Sequence, residues 1–298
     1  MLRGMYTATA GMLSQQRKHD TVTNNIANVN TPGFKQSRMV SRSFPEMLIS
    51  LQEGDAPAAR FNAGRLNTGV LAEEALTVNV QGDLRETGNP FDFALVSDIQ
   101  VDGLQFDNGK TITADGQRVY QPQAFFTVLN AAGEQRYTRN GKFVVDASGQ
   151  LVTAEGYRVV GTDGEPLVLI DPVTGIPISN VTTNNRGQLL DSVDGRNILD
   201  ANGQPMAMLL TRVDEPMRLI AEGSGILRND ELQPSVLGPM NPNDRVEVRQ
   251  GFLERSNVDP TQSTVDLMTA SRMYEANQKM VQYYDRSLEK AVNDVGRV

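Results

Sequence analysis

Residues 259–295 read DPTQSTVDLMTASRMYEANQKMVQYYDRSLEKAVNDV, and this stretch decides the fold. Leu267, Tyr274, Val281, Leu288 and Val295 recur every seven residues, and Ala270, Asn277, Tyr284 and Ala291 follow each by three. That is the a/d pattern of a helix packed along another helix with a left-handed twist. Met273 and Met280 widen the stripe. Asn277 places a polar group at a d position, a device that fixes register at some cost in stability. Asp259 suits an N-cap and Pro260 the first helical position.

A partner helix is found at the other end of the chain. Residues 2–28 place Met5, Met12, His19 and Ile26 seven apart, with Tyr6, Leu13 and Ala27 beside them. Thr9, Gln16 and Thr23 dilute the stripe, so this helix is expected to need packing to be stable. It should end in Asn28-Val29-Asn30-Thr31-Pro32-Gly33-Phe34, where Asn and Thr side chains compete for backbone hydrogen bonds, Pro32 cannot continue a helix and Gly33 permits positive φ. Both helices lie at the extremes of the chain, and segments of this kind commonly order on assembly. They are expected to be assembly helices, with Met5, Met12, Ile26, Leu267, Tyr274, Val281, Tyr284 and Leu288 at subunit interfaces.

Between them, residues 75–232 read as all-β. Glycines at 133, 141, 149, 156 and 164 punctuate the apolar runs Phe125–Leu129, Phe143–Val145 and Leu151–Val152. Short strands at this spacing predict a sandwich or barrel, with Asn140-Gly141 as a two-residue hairpin turn. Phe44–Leu51 reads as a short helix or an extended packing segment, and Gly54–Gly69 as a connector. The fold class is therefore α+β: an all-β central domain inserted between N- and C-terminal helices that pair as a coiled-coil-like assembly domain. The expected boundaries are 1–35 with 255–298 for the helices, 36–84 with 226–254 for a connector domain, and 85–225 for a β-rich outer domain.

The remaining composition excludes more than it suggests. The 298 residues carry a formal charge of -8, which argues against a general nucleic-acid footprint. The chain has no cysteine, hence no disulfide or thiolate metal site. No apolar run approaches the ~18–20 residues of a membrane span. Residues 1–14 lack the apolar core and cleavage pattern of a secretory signal, so any export is expected to leave the N-terminus intact. His19 is the lone imidazole, so no Ser-His-Asp or two-His metal arrangement can be built. Asp102-Gly103, Asp107-Asn108-Gly109, Asp115-Gly116 and Asp163-Gly164 do not complete a calcium loop and read as hairpin turns. Gly223-Ser224-Gly225 is neither a nucleophile elbow nor a dinucleotide loop. No catalytic, cofactor or metal site is predicted, and the chain is expected not to be an enzyme.

At this point two end motifs resemble one family. Asn24-Asn25-Ile26-Ala27-Asn28-Val29-Asn30-Thr31-Pro32-Gly33-Phe34-Lys35 is similar to the opening motif of the bacterial flagellar rod and hook axial proteins. Gly251–Val258 followed by Met268–Asn277 resembles their closing helix. Phe125–Val128, Tyr137–Phe143, Gly149–Thr153 with Gly156-Tyr157, and Thr87–Ala94 resemble the β-domain of the FlgF/FlgG rod subgroup. Phe44–Leu48 is similar to versions from Gram-positive bacilli. The likeness departs at Val96–Gln123, which the family usually replaces with a more direct connection. The resemblance implies a structural subunit of the rod, the drive shaft linking the motor to the hook. It implies self-association in a helical tube that transmits torque, contacts with other rod and hook proteins, and passage through the flagellar export apparatus. It places the chain in the basal body outside the cytoplasmic membrane, with no cofactor. Asn24, Asn25, Asn28, Asn30, Pro32, Gly33 and Phe34 would form the signature turn. A hook or junction subunit is the alternative within the family; an extracellular cell-wall-binding module or a peptidoglycan hydrolase would be alternatives outside it.

Overall fold

The computed structural model describes residues 2–52, 60–101, 103–106, 109–113, 115–170, 178, 181–192, 195–199, 203–229, 237–240 and 244–295. Chain contacts divide it into two compact units, residues 1–27, 37–76 and 259–298 in one and residues 28–36 and 77–258 in the other. The class is α+β with a helix at each end of the chain.

The first unit holds both long helices, α1 (Leu2–Ala27) and α2 (Pro260–Lys290). As the sequence predicts, Asp259 caps α2: its carboxylate accepts from the N–H groups of Thr261 at 2.8 Å and Gln262 at 3.2 Å. Pro260 follows at the first turn, where a missing N–H costs nothing. In α1 the threonines are accommodated because Thr7, Thr9, Thr21 and Thr23 donate their hydroxyls to the carbonyls four residues back. Among its described residues the segment 37–76 is largely β. Met47–Gln52 pairs antiparallel with Arg60–Leu66, so Phe44–Leu51 is not helical and part of the expected connector is a strand. Met47, Leu48 and Ile49 pair as an extended edge, and Gly64 sits opposite Ile49 where the register shifts.

The second unit is built around Gln123–Leu129, a strand buried along nearly its whole length. One edge pairs with Gln135–Thr138. The other is shared: Leu210–Val213 covers Gln123–Phe126, and Arg158–Val159 covers Val128–Leu129. The sheet continues through Leu151–Thr153 to Phe143–Val145 on one side and through Ile226–Arg228 to Ile220–Gly223 on the other. A continuous apolar strand of this kind is what a doubly covered central position requires. Phe93, Phe126 and Phe143 are fully buried and stack as tilted and edge-on pairs with centroids 5.4–6.0 Å apart.

Asp115-Gly116 and Asp163-Gly164 form turns with positive φ at both glycines, as their sequences predict. Asp102, Asp107 and Asn108 lie outside the described residues. Asn140-Gly141 is a correction. Phe143–Val145 pairs with Leu151–Thr153, not with the preceding strand, so no hairpin forms there. Gly141 is glycine for another reason: an added Cβ would lie 1.7 Å from the Phe93 carbonyl oxygen, whose strand crosses at that point. Within 96–123, the stretch that departs from the family pattern, Lys110–Ile112 and Arg118–Tyr120 form a hairpin and Ile99 is fully buried in the core.

Candidate functional site: the helix pair and the signature turn

The helices are in close contact at two glycines. A Cβ added to Gly4 would fall 2.3 Å from the Tyr284 hydroxyl, and one added to Gly11 would fall 3.1 Å from Asn277 Nδ2. Both pairs are seven residues apart and run in opposite senses, so the helices are antiparallel and keep heptad register. On α2 the inward stripe is the predicted one. Ala270 is buried, Leu267 is half-buried, and Tyr274, Asn277, Val281, Tyr284 and Leu288 are half-buried between exposed neighbours. On α1 the seam runs through Gly4, Ala8, Gly11, Val22 and Asn25. Met5, Met12, His19 and Ile26 lie one position along from it and are half-buried.

A second apolar stripe on α2 lies about a quarter turn round the helix from that seam, so Met273 and Met280 flank it as exposed side chains where the sequence predicts that they widen it. Met273, Ala276, Met280 and Tyr283 follow the 3-4-3 spacing of a helix face, and Met273, Met280 and Tyr283 are 53%, 48% and 64% exposed. On α1, Tyr6 and Leu13 are exposed as well, seven residues apart.

The signature residues divide between the two units. In the first, Asn25 is buried and its side-chain amide holds Ser37 both ways, Nδ2 donating to the Ser37 carbonyl at 2.7 Å and Oδ1 accepting from the Ser37 N–H at 2.9 Å. Asn24 is exposed. In the second, Asn28 closes a turn: the Thr31 N–H donates to its carbonyl at 3.1 Å and the Thr31 hydroxyl to its Oδ1 at 3.2 Å. Asn30 is exposed, and Pro32 and Phe34 are half-buried. Gly33 is buried at φ +71° and donates to the Glu254 carbonyl at 2.8 Å.

Behind the turn lies a group of three charges. The Glu254 side chain is fully buried; Arg139 is 2% exposed and Lys35 9%. Arg139 reaches Glu254 Oε2 at 3.0 Å, and Lys35 pairs with Oε1. The Gly82 N–H donates to the same Oε1 at 2.9 Å. The remaining guanidinium protons go to Ser97 Oγ, Gln81 Oε1 and the carbonyls of Ala124 and Leu95, and Lys35 also donates to the Val80 carbonyl. Beside this knot Asn257 accepts from the Gln36 N–H at 2.7 Å and donates to the carbonyls of Val78 and Val80. Three stretches distant in sequence, 33–36, 78–82 and 254–257, are thereby fastened together. The arrangement satisfies nearly every donor, which a buried ion group must do to persist.

The knot titrates in a defined way. Burial pushes the Glu254 carboxyl up, but the Arg139 guanidinium and the Lys35 ammonium outweigh it and hold the group below its ordinary 4.5. Burial, with Arg139 beside it, drives Lys35 down from 10.5 to about 8, against the pull of Glu254. The unfolded carboxyl binds its proton first on acidification, so the stability Glu254 contributes is complete above 4.5 and lost as pH falls through its lower folded value. For Lys35 the unfolded amine keeps its proton between about 8 and 10.5 while the folded one releases it, so its contribution rises with pH in that window. Urea midpoints followed by circular dichroism should fall below pH 4.5, and Lys35→Met should remove the alkaline rise. A midpoint indifferent to pH on both sides would contradict the buried pairing.

Sequence reasoning found the turn but missed Arg139 and Glu254 as its anchors. Among the described residues no three His, Cys, Asp or Glu side chains are arranged to hold a metal ion, and no helix is long and apolar enough to cross a membrane.

Fold and site together define a structural subunit: in one unit the two chain ends meet as a helix pair with an apolar helix face left exposed, and in the other a charged knot fastens the signature turn. Comparison with known proteins gives this class a family. Residues 5–35 match the family model described as flagella basal body rod protein, residues 121–199 the flagellar hook protein FlgE/F/G D1 domain, and residues 249–294 the C-terminal domain of the flagellar basal body rod FlgEFG proteins. The flagellar hook-basal body complex protein FlhO of Bacillus subtilis is 33% identical over 301 residues, covering 100% of both chains. The flagellar basal-body rod proteins FlgG of Borreliella burgdorferi and of Bacillus subtilis are 28% and 27% identical, covering 98% of this chain in each case. The chain belongs to the flagellar basal-body rod family of FlgF/FlgG type. It is a structural protein of the flagellar basal body and associates with other axial proteins of the flagellum.

Proposed function

We propose that this subunit polymerises helically with copies of itself and with neighbouring rod and hook proteins, transmits torque from motor to hook, and does so without catalysing a reaction. The observation that carries this reading is the uncovered stripe Met273, Ala276, Met280 and Tyr283 on α2. Three large apolar side chains at helix spacing, about half to two-thirds exposed, are costly in water and call for a partner surface. The inward stripe of α2 is already occupied by α1, so the flanking one is free for another subunit. Met5, Met12 and Ile26, beside the seam of α1, and Tyr6 and Leu13 offer complementary apolar surface on the neighbour. Contacts of this heterologous kind extend into a helix when they do not close into a ring. Close-packed helices resist twisting, which suits a shaft. The same use of α1 favours export through the flagellar apparatus with that helix retained, to a site outside the cytoplasmic membrane.

The test is complementation of a strain lacking the gene, with basal bodies examined by electron microscopy. Full-length protein should restore rods and swimming. Met280→Asp with Tyr283→Asp, which alters no inward position, should keep the helical circular dichroism of the wild type yet leave rods truncated. Complete rods and normal swimming with this variant would overturn the polymerisation surface.

A further inference from the structure

The second unit contains a cleft of about 420 Å³ beside the signature turn, and its charge is opposite to that of the protein. Arg85, Lys142 and Arg255 line it, with Thr87 and Ser256 between them. All three cations are exposed, and none has a carboxylate within ion-pair distance among the described residues. The two acids that also line the cleft are already engaged. Glu254 is held by Lys35 and Arg139, and Asp92 is buried and accepts from Asn89 Nδ2 at 3.1 Å. With Lys35 and Arg139 directly behind the wall, the region holds five cations against two acids, in a chain whose net charge is -8.

We propose that this cleft is a docking site for an acidic hairpin tip, Asp163-Gly164-Glu165, of a second copy of this chain. The tip has the matching features. Both acids are exposed, and neither lies within ion-pair distance of a cation among the described residues. The Val160–Pro166 bridge closes the hairpin beneath them, and Asp163 Oδ1 accepts from the Glu165 N–H at 3.2 Å, which fixes the tip as a narrow two-carboxylate projection. Cleft and tip are different surfaces of one chain, so the contact leaves one of each free at the ends of any assembly and can propagate. Complementary charge of this kind sets partner choice and register more than raw affinity. It therefore complements the apolar helix stripe, which has no charge to fix how far one subunit slides along the next. This inference rests on the polymerisation reading above.

The absence of cysteine makes a direct test available. A chain carrying Lys142→Cys and Glu165→Cys is expressed in the deletion strain, basal bodies are isolated and mildly oxidised, and the protein is detected on a non-reducing gel. A ladder of covalent oligomers is expected from the double variant and none from either single variant. The double variant present in rods but giving only monomer, or an intrachain disulfide, overturns the docking proposal and leaves the rod reading intact. Wild-type chain missing from the basal bodies overturns the rod reading itself. A second pair guards against a loss of folding. Arg85→Glu, Lys142→Glu and Arg255→Glu together should cut the swimming fraction at least tenfold, and adding Asp163→Lys with Glu165→Lys should restore it. Failure of the swap to rescue, with wild-type circular dichroism, counts against this tip as the occupant.

Discussion

Glu254→Gln is expected to destabilise the β unit by about 3–5 kcal/mol, the usual cost of removing one member of a buried ion group. Glutamine matches the shape of glutamate, so little packing is lost and the effect isolates the charge. Arg139 keeps its neutral acceptors, Ser97, Gln81 and the carbonyls of Ala124 and Leu95, and Lys35 keeps the Val80 carbonyl. Arg139 then remains buried with no counter-charge, and Lys35, which burial and Arg139 already lower to about 8 against the pull of Glu254, loses that pull and gives up its proton; the uncompensated guanidinium in a weakly screened interior decides the outcome. The measurement is a urea titration of purified protein monitored in the β region of the circular dichroism spectrum. An internal comparison is available in the first unit. Arg42 and Glu73 pair at 3.3 Å but are 77% and 41% exposed, so Arg42→Gln should be indistinguishable from wild type. Glu254→Gln behaving like Arg42→Gln would mean that water reaches the knot. A double replacement of Lys35 and Glu254 by methionine should recover part of the loss, because the buried amine is gone, Arg139 alone is left without a counter-charge, and apolar surface fills the space.

The knot was invisible in the sequence for a physical reason. Lys35 and Glu254 are 219 residues apart, and Arg139 and Glu254 are 115 apart. A charged residue in isolation reads as surface, and only the fold brings three of them into one buried place. The α2 seam was legible because its contacts are large apolar side chains, and hydropathy reports those directly. The α1 seam was read one residue late for the converse reason. Gly4, Ala8 and Gly11 carry little hydropathy, yet they are what allows Tyr284 and Asn277 to approach. Their four-then-three spacing was the available signal. The strands of the β unit were legible from their bounding glycines at 133, 149, 156 and 164, all at positive φ. Gly141 has the same letter and a different cause, the Phe93 carbonyl pressed against its α-carbon. Local turn statistics cannot separate those two cases. The hairpin Met47–Gln52 with Arg60–Leu66 was missed because its apolar run fits a helix turn as well as a strand, and only the paired partner decides.

Gly33→Ala is the second change expected to have a large effect, and here the cost arises in two ways that add. The backbone at φ +71° is left-handed, where a Cβ costs about 1–2 kcal/mol. The Cβ would also lie 2.6 Å from the Arg139 carbonyl carbon, 2.7 Å from its oxygen and 2.8 Å from the Asn140 nitrogen. These are backbone atoms at the root of the side chain that holds Glu254, so they cannot swing aside as a flexible side-chain end would. Relief requires either the turn or the Arg139 strand to move, and overpacking of this kind costs about 1–3 kcal/mol. The total, about 2–5 kcal/mol, should appear as a lower urea midpoint. It should be accompanied by loss of the Gly33 N–H bond to the Glu254 carbonyl, read as faster amide exchange at Gly33. Gly88→Ala is the control. Gly88 has nearly the same φ, +69°, but nothing stands within 4 Å of its added Cβ. That variant should show the conformational cost alone. Equal losses for the two would mean that the signature turn needs glycine only for its backbone angle; a clearly larger loss at Gly33 would mean that the turn is glycine because it is pressed against the buried knot.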